Sequence, residues 1–254
     1  MSGLFTAAEL GQYRTDGFVV VPGLVDEQDL ARFDRRFEAI VNGDAPVSGA
    51  MNLMRDVMVV KGVVEAKSPV HAINKLLRFE DDPELFDYVR IPGLLDRVHE
   101  LIGDDVWSIA TNVFNKPPHV DGRHPFHQDL LYFRIRPAKG IVGVWTAMSE
   151  TTRENGCLAV IPGSHQGELL RHGDPDWEYV NRGFLGVGDA AKGERHYVLM
   201  QPGDTLFFHP LLIHGSGHNR SGGFRRAISA HFAAGACEAP DQNWRDAEFV
   251  RHVG

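Results

Sequence analysis

Cysteine is nearly missing from this chain. Cys157 and Cys237 are the only two, and they do not form a Cys-x-x-Cys pair, so neither a disulfide framework nor a thiolate metal site organises it. No run of about 18 consecutive apolar residues occurs, as a membrane span needs. The start, Met1-Ser2-Gly3-Leu4-Phe5-Thr6, lacks the basic segment and apolar stretch of a secretory leader, and a cytoplasmic protein is expected. Positive charge is in deficit as well: 26 Lys+Arg against 34 Asp+Glu leave a net charge of −8. Nucleic acid is therefore not the default partner, because phosphate binding draws its affinity from clustered Lys and Arg. Internal repeats, low-complexity tracts and Gly/Ser/Pro linkers are absent too. What is present is an ordinary globular composition, 43% hydrophobic and 24% charged over 254 residues, enough to bury a sizeable core. The 13 histidines stand out, since imidazole is the commonest metal ligand.

The first hundred residues predict helices. Thr6 and Glu9 have capping-box spacing before a short helix that stops at Gly17, and the strand Phe18-Val-Val-Val21 follows. Asp26 caps a longer helix whose Leu30, Phe33, Phe37 and Ile40 form one apolar stripe, with Gly43 at its end. Two further helices are expected over 70–77 and 92–101. Beyond residue 105 short β-rich runs alternate with Gly, Pro and Asn: 106–114, 130–135, 141–148, 157–161, 196–200, 205–208 and 226–232. That pattern predicts a mainly β protein with flanking helices, a sandwich or barrel. We expect a single domain over 1–254, with 1–105 as a mostly helical buttress and 106–235 as the β core. The stretch 163–194 is too long for a hairpin and is expected to be a lid or binding loop.

The chemistry concentrates in two segments. In His124-Pro-Phe-His-Gln-Asp129, His127 and Asp129 are two apart, so in an extended strand they offer an imidazole nitrogen and a carboxylate oxygen to one point. His214, at the end of an apolar run and beside Gly215-Ser-Gly217, can supply a third ligand. Two His and one carboxylate make the facial set of non-heme Fe(II) sites. Taken singly, each such His or His-x-Asp pair is more often a hydrogen-bonded structural residue. The segment Gly223-Phe-Arg-Arg-Ala-Ile-Ser-Ala-His231 reads as the return strand of a hairpin whose other arm ends at His214. It puts Arg225, Ala227, Ser229 and His231 on one face and Phe224, Arg226, Ile228 and Phe232 on the other. Small neighbours leave room at Arg225 for a carboxylate held by paired charge-assisted hydrogen bonds, although a lone strand Arg is usually a surface cation.

These blocks, together with Trp145-Thr-Ala-Met148, Asn155-Gly-Cys-Leu-Ala-Val-Ile-Pro-Gly-Ser-His165, Phe207-Phe-His-Pro-Leu-Leu-Ile-His214 and Asn115-Lys-Pro-Pro118, closely resemble the phytanoyl-CoA dioxygenase family. The resemblance covers nearly the whole chain. It implies a double-stranded β-helix, or jelly-roll, cupin-like core and an Fe(II)- and 2-oxoglutarate-dependent dioxygenase that uses O2, with ascorbate as a candidate reductant. It implies that His127, Asp129 and His214 bind iron and that Arg225 pairs with the distal carboxylate of 2-oxoglutarate. It also suggests Lys75, Asn112, Trp145 and Ser216 as cosubstrate-pocket residues, with Gln128 beside the metal. The substrate it implies is a branched fatty acyl-CoA hydroxylated at the α carbon. The same chemistry on an amino-acid derivative, compatible solute or secondary metabolite is the alternative, and a cupin-type binding protein or zinc hydrolase is the alternative of another class. A zinc hydrolase needs no carboxylate clamp and wants a general base, for which no dedicated carboxylate is evident near the motif. A CoA substrate calls for a basic rim, for which Arg134, Arg136, Lys139, Arg220 and Arg226 are the candidates. His119, His124, His165, His209, His218 and His231 are expected to support the site from behind or to lie at the surface. Replacing Arg225 by Ala is expected to raise the apparent KM for 2-oxoglutarate by about tenfold or more while circular dichroism stays native; an unchanged KM would remove this arginine from the pocket.

Overall fold

The computed structural model describes residues 4–240 and 243–254; the leader reading on Met1-Ser2-Gly3 falls outside them. Helix α1 (Ala7–Asp16) begins with the expected reciprocal box, Thr6 Oγ1 accepting from Glu9 N–H and Glu9 from Thr6 N–H, and ends at Gly17 with φ of 84°. Strand β1 (Phe18–Val21) follows, and then α2 (Glu27–Asn42), capped by Asp26, with Leu30, Phe33, Phe37 and Ile40 buried. Next come β2 (Asn52–Arg55), the short helices α3 (Val57–Val60) and α4 (Pro69–Ala72), β3 (Ile73–Leu77), α5 (Pro83–Phe86) and α6 (Pro92–Ile102). The β-rich part holds β4 (Val106–Lys116), β5 (His124–His127), β6 (Ile141–Ala147), β7 (Leu158–Val160), β8 (His196–Val198), β9 (Thr205–Phe208), β10 (His214–Ser216), β11 (Arg225–Ala234) and β12 (Arg251–His252).

The strands form two antiparallel sheets. The large one runs β1-β9-β6-β11-β4-β3-β2, with β12 also on β4, and the small one runs β5-β10-β7-β8. Their inner faces meet in a mixed cluster: Trp145, Ala147, Leu206, Phe208 and Ala227 of the large sheet pack with Val160 and Val198 of the small one. This is the jelly-roll arrangement of a mainly β protein. On the outer face of the large sheet, Val142, Val144, Ile228, Ala230 and Phe232 pack with the α2 stripe and with Leu94 and Val98 of α6. The β11 alternation is as the sequence predicts, and Arg226 accordingly points to the helices. There it pairs with Asp34 and Glu38, both at 2.7 Å. Gly143 is needed where the sheet is tightest, since a Cβ there would lie 2.4 Å from the Phe208 ring.

Several expectations fail for reasons of pairing. The helix expected over 70–77 stops at Ala72, and residues 73–77 join β4 as a strand with Lys75 opposite Phe114; non-local ladder bonds override the local pattern. The mostly helical segment before 105 therefore gives the large sheet β2 and β3 in addition to the expected β1. Residues 130–135 are not a strand: Asp129–Tyr132 forms a 3-10 turn, with Leu130 N–H bonded to Pro210 O at 2.9 Å. Nor do β10 and β11 form a hairpin, since they belong to different sheets. Phe37 is fully buried between α2 and the sheet. Its replacement by Ala is expected to destabilise the protein by about 3–5 kcal/mol, read from a denaturant midpoint; a loss under about 1 kcal/mol would mean that this helix does not carry the sheet's outer face.

Candidate metal and cosubstrate site

His127 and His214 come together because β5 and β10 pair with these two residues directly opposite each other, which puts their rings 4.3 Å apart between centroids. Asp129 arrives differently from the expected strand alternation. The chain leaves β5 at Gln128 and winds into the 3-10 turn, which brings the carboxylate back toward the imidazoles. Asp129 Oδ1 lies 3.1 Å from His127 Nε2 and 3.7 Å from His214 Nε2, and all three donor atoms lie within 4.8 Å of one another.

The ring nitrogens of both histidines are assigned by their neighbours. His127 Nδ1 is 2.8 Å from Pro125 O and His214 Nδ1 is 3.0 Å from Leu212 O. A carbonyl oxygen only accepts, so each Nδ1 carries a proton and each neutral imidazole presents a bare Nε2. Burial draws the His214 pKa down to about 4, keeping that ring neutral near pH 7. Two nitrogen lone pairs then face a carboxylate oxygen with no donor between them. Such a contact requires positive charge, either an imidazolium or a bound cation, and the donor set is that of a divalent transition metal. Burial alone would raise the Asp129 carboxyl, but the imidazoles around it, with His231 as a hydrogen-bond donor, hold it well below the usual carboxylate range. His231, expected behind the site or at the surface, stands behind the carboxylate. From β11 its Nε2 donates to Asp129 Oδ2 at 2.7 Å, turning the other oxygen toward the two histidines. His124 stacks between His127 and Phe184, with centroids at 4.1 and 3.9 Å.

Along β11 from this cluster stands Arg225, 3% exposed. Its guanidinium donates to Gly156 O at 3.2 Å, its Nε has no partner, and it lies 5.5 Å from the Trp145 ring centre. Burial draws its pKa down to about 10. Opposite it in the ladder is Lys116, whose Nζ donates to Ser216 Oγ at 2.9 Å and to Gly217 O. Burial and the charge of Arg225 push the Lys116 ammonium well below its ordinary range. Two enclosed basic groups stand side by side with no carboxylate bonded to either among the described residues, an arrangement that favours an anionic ligand. Lys116 was not singled out in the sequence; its signal was the shared parity of Asn112, Phe114 and Lys116 on one strand.

One cavity of about 560 Å³ contains His127, Asp129, His214, His231, Arg225, Lys116, Lys75, Asn112, Trp145 and Ser216. Lys75 Nζ sits 4.6 Å from the Phe114 ring centre, and Asn112 Nδ2 reaches Ser229 Oγ at 3.4 Å. Gln128 is placed elsewhere. Its amide donates to Glu168 O and Leu211 O and accepts from Leu170 N–H, so it does not line the cavity but ties the 163–194 segment to the strand. That segment contributes to the cavity: His172 accepts from Gln128 N–H at 3.0 Å, and Arg182, Gly183 and Phe184 line the wall. Of the expected basic rim only Arg134 lines the cavity. Arg226 is neutralised on the opposite face, and Arg136 is turned to the carbonyls of Phe133 and Ile135.

The sequence pattern of the phytanoyl-CoA dioxygenase family (PhyH) matches residues 13–227. The chain is 43% identical over 238 residues to a probable phytanoyl-CoA dioxygenase of Caenorhabditis elegans, covering 91% of this chain and 76% of that protein. It is 44% identical over 234 residues to the peroxisomal phytanoyl-CoA dioxygenase of Bos taurus, covering 90% and 68%. In structure it resembles the non-heme alpha ketoglutarate dependent carbocyclase SnoK from nogalamycin biosynthesis, with a TM-score of 0.73 and 18% identity over 98% of this chain and 97% of that one, a likeness of fold. His231→Ala is expected to weaken binding of Co(II), a spectroscopic substitute for iron, by about 10–100-fold through loss of the carboxylate's orientation. A visible-absorption titration that returns the wild-type affinity would show the Asp129–His231 bond to be incidental.

Proposed function

The chain belongs to the phytanoyl-CoA dioxygenase family, and from that premise we propose that it hydroxylates a branched fatty acyl-CoA at the carbon next to the thioester carbonyl. It is an iron- and 2-oxoglutarate-dependent dioxygenase. The observation that carries the reading is the joining, in one cavity, of the His127–Asp129–His214 donor set with the enclosed Arg225–Lys116 pair that lacks a carboxylate. A hydrolytic metal site would not use that pair.

In this reading His127, Asp129 and His214 hold Fe(II), and iron with 2-oxoglutarate and O2 supplies oxidative decarboxylation to succinate and CO2 together with insertion of one oxygen atom into a C–H bond. Arg225 binds the distal carboxylate of 2-oxoglutarate with its unused guanidinium donors, and Trp145 fixes the plane of that group. Ser216 is held by Lys116 and turns its oxygen toward the same end, while Asn112 and Lys75 form the adjoining wall. The opposite end of the cavity is apolar, with Ile109, Phe133, Ile135, Trp244, Phe249 and Val250. These side chains hold the acyl chain and exclude water, which protects a reactive centre and fixes one C–H bond beside it.

The helical segment shares the large sheet and its core with the rest of the chain, which supports treating 1–254 as one catalytic domain. A cytoplasmic location also stands as a proposal, beside mammalian relatives whose names say peroxisomal. The two buried free thiols suit a reducing compartment, and no helix among the described residues is long and apolar enough to cross a membrane.

The decisive assay follows 2-oxoglutarate decarboxylation with acyl-CoAs, free fatty acids and amino-acid derivatives. Succinate is expected only with Fe(II), stimulated by branched acyl-CoAs and accompanied by a 2-hydroxyacyl product. Stimulation by amino-acid derivatives alone would overturn the substrate assignment. Lys75 adds a pH signature. Burial draws its ammonium down to about 8, partly opposed by the charge of Asp129. Below that pH the free protein presents a cation to 2-oxoglutarate, and above it binding must take up a proton. KM for 2-oxoglutarate should therefore be flat below about pH 8 and climb above it, whereas Lys75→Met should start higher and lose the climb. A climb of the same size in that variant would assign the titration to another group.

A further inference from the structure

The walls of the cavity are charged in a way the whole chain is not. Lys75, Arg78, Lys116, Arg134, Arg182 and Arg225 line it, and Asp129 is the one carboxylate to do so among the described residues, in a chain with 34 acidic and 26 basic side chains. Lys75, Lys116 and Arg225 belong to the cosubstrate end. Arg78, Arg134 and Arg182 are solvent-exposed and are not needed for a dicarboxylate already met by cations deeper inside. We infer that Arg78 and Arg182, with Arg134 beside them in the cavity wall, form a phosphate-binding rim that seats the polyanionic headgroup of the substrate thioester. The inference rests on the acyl-CoA reading above and names the residues that recognise the CoA moiety.

Both lead residues are set in place by rigid neighbours. Arg78 has φ of 61°, a left-handed conformation uncommon for a residue with a side chain. Its N–H is bonded to Thr111 O at 2.9 Å, and its guanidinium lies 4.3 Å from the Phe249 ring centre. It thus stands where the apolar end of the cavity meets water. Arg182 lies in the 163–194 segment between two anchored residues. Asn181 donates to Asp56 Oδ2 at 3.0 Å and accepts from Val57 N–H at 2.8 Å, and Phe184 is stacked on His124. Arg182 has no partner among the described residues, so its five guanidinium donors remain available. Guanidinium forks suit phosphate oxygens, and a CoA thioester carries a diphosphate and a 3′-phosphate outside any apolar pocket that takes its acyl chain. The rim residues come from β3's C-terminal edge, the turn after β5 and the long loop, three segments far apart in sequence, which is why the candidates read from sequence clusters were mostly others.

The test is titration of free coenzyme A into the full chain by calorimetry, with Arg78→Gln, Arg182→Gln and the double variant. Each single variant is expected to weaken binding about fivefold, and the double about twentyfold, with wild-type affinity falling as salt is raised. In turnover, the kcat/KM of an acyl-CoA relative to the matching N-acetylcysteamine thioester, which has no phosphate, should fall by the same factors. No binding of free coenzyme A, or equal binding by wild type and the double variant, overturns the rim. So does a loss that appears in the KM for 2-oxoglutarate and not in that ratio, since it would make these arginines a guide for the cosubstrate. Arginine-dependent binding of coenzyme A without hydroxylation of any acyl-CoA would leave the rim standing and remove the proposed reaction. Hydroxylation untouched by the variants would do the reverse.

Discussion

Everything at the centre of this molecule depends on one electrostatic arrangement, acceptors that face each other in a buried place. His127 and His214 spend their Nδ1 protons on the carbonyls of Pro125 and Leu212, and their Nε2 atoms converge on an oxygen of Asp129. Left alone, that geometry is repulsive. It persists because the backbone of the small sheet imposes it: β5 and β10 are in register at these two residues, and the 3-10 turn at 129–132 is tied to Pro210. The strain of an unpaired acceptor cluster and its affinity for a cation are the same quantity seen from two sides, so folding energy invested in the sheet appears as affinity for a cation.

A second constraint is the separation of charge across one strand. From Arg225 to Phe232 β11 alternates, and its two faces have opposite tasks. Arg225, Ser229 and His231 face the cavity, while Ile228, Ala230 and Phe232 enter the core under the helices. The neighbouring arginines show the consequence. Arg226 is met on its side by Asp34 and Glu38 of α2 and is electrically spent, whereas Arg225 meets a carbonyl, an indole and another cation. The acidic surplus of the sequence is thus used to neutralise cations outside the cavity and is withheld from its interior.

How much of this was legible in the sequence follows from which interactions are local. Caps and stripes were readable because Thr6 with Glu9, Asp26, and the run Leu30, Phe33, Phe37 and Ile40 act within one or two helical turns. The alternation of β11 was readable for the same reason. The grouping of His127, Asp129 and His214 was readable as residue types, but not the way Asp129 reaches its partners, since that depends on a turn fixed by Pro210 some eighty positions onward. Lys75 looked helical because Ser68 and Pro69 do start a helix, which only pairing with Phe114 of β4 brings to an end. Gln128 was placed beside the metal by the family resemblance; in an extended chain a residue between His127 and Asp129 points its side chain the other way, and its amide serves the 163–194 segment instead. Lys116 escaped notice because its meaning comes wholly from standing opposite Arg225.

The same dependence on register limits how such a site can vary. A slip of β11 by one residue against β4 and β6 would exchange its faces, placing Arg225 among Phe37 and Ile40 and presenting Arg226 and Ile228 to the cavity. Arg225 and Arg226 would exchange like for like, so the penalty lies in the hydrophobic pattern: Ile228 and Phe232 would leave the core, and Ser229 and His231 would enter it. The close contact at Gly143, which admits no Cβ against Phe208, fixes β6 relative to β9 on the neighbouring ladder. Register, core packing and the orientation of the guanidinium are therefore one constraint. Variation in substrate is left to the parts that lie outside the ladder: residues 133–135, the 163–194 segment and the 244–250 wall. Those three regions can change the shape of the cavity mouth without moving a single donor of the His127, Asp129 and His214 set.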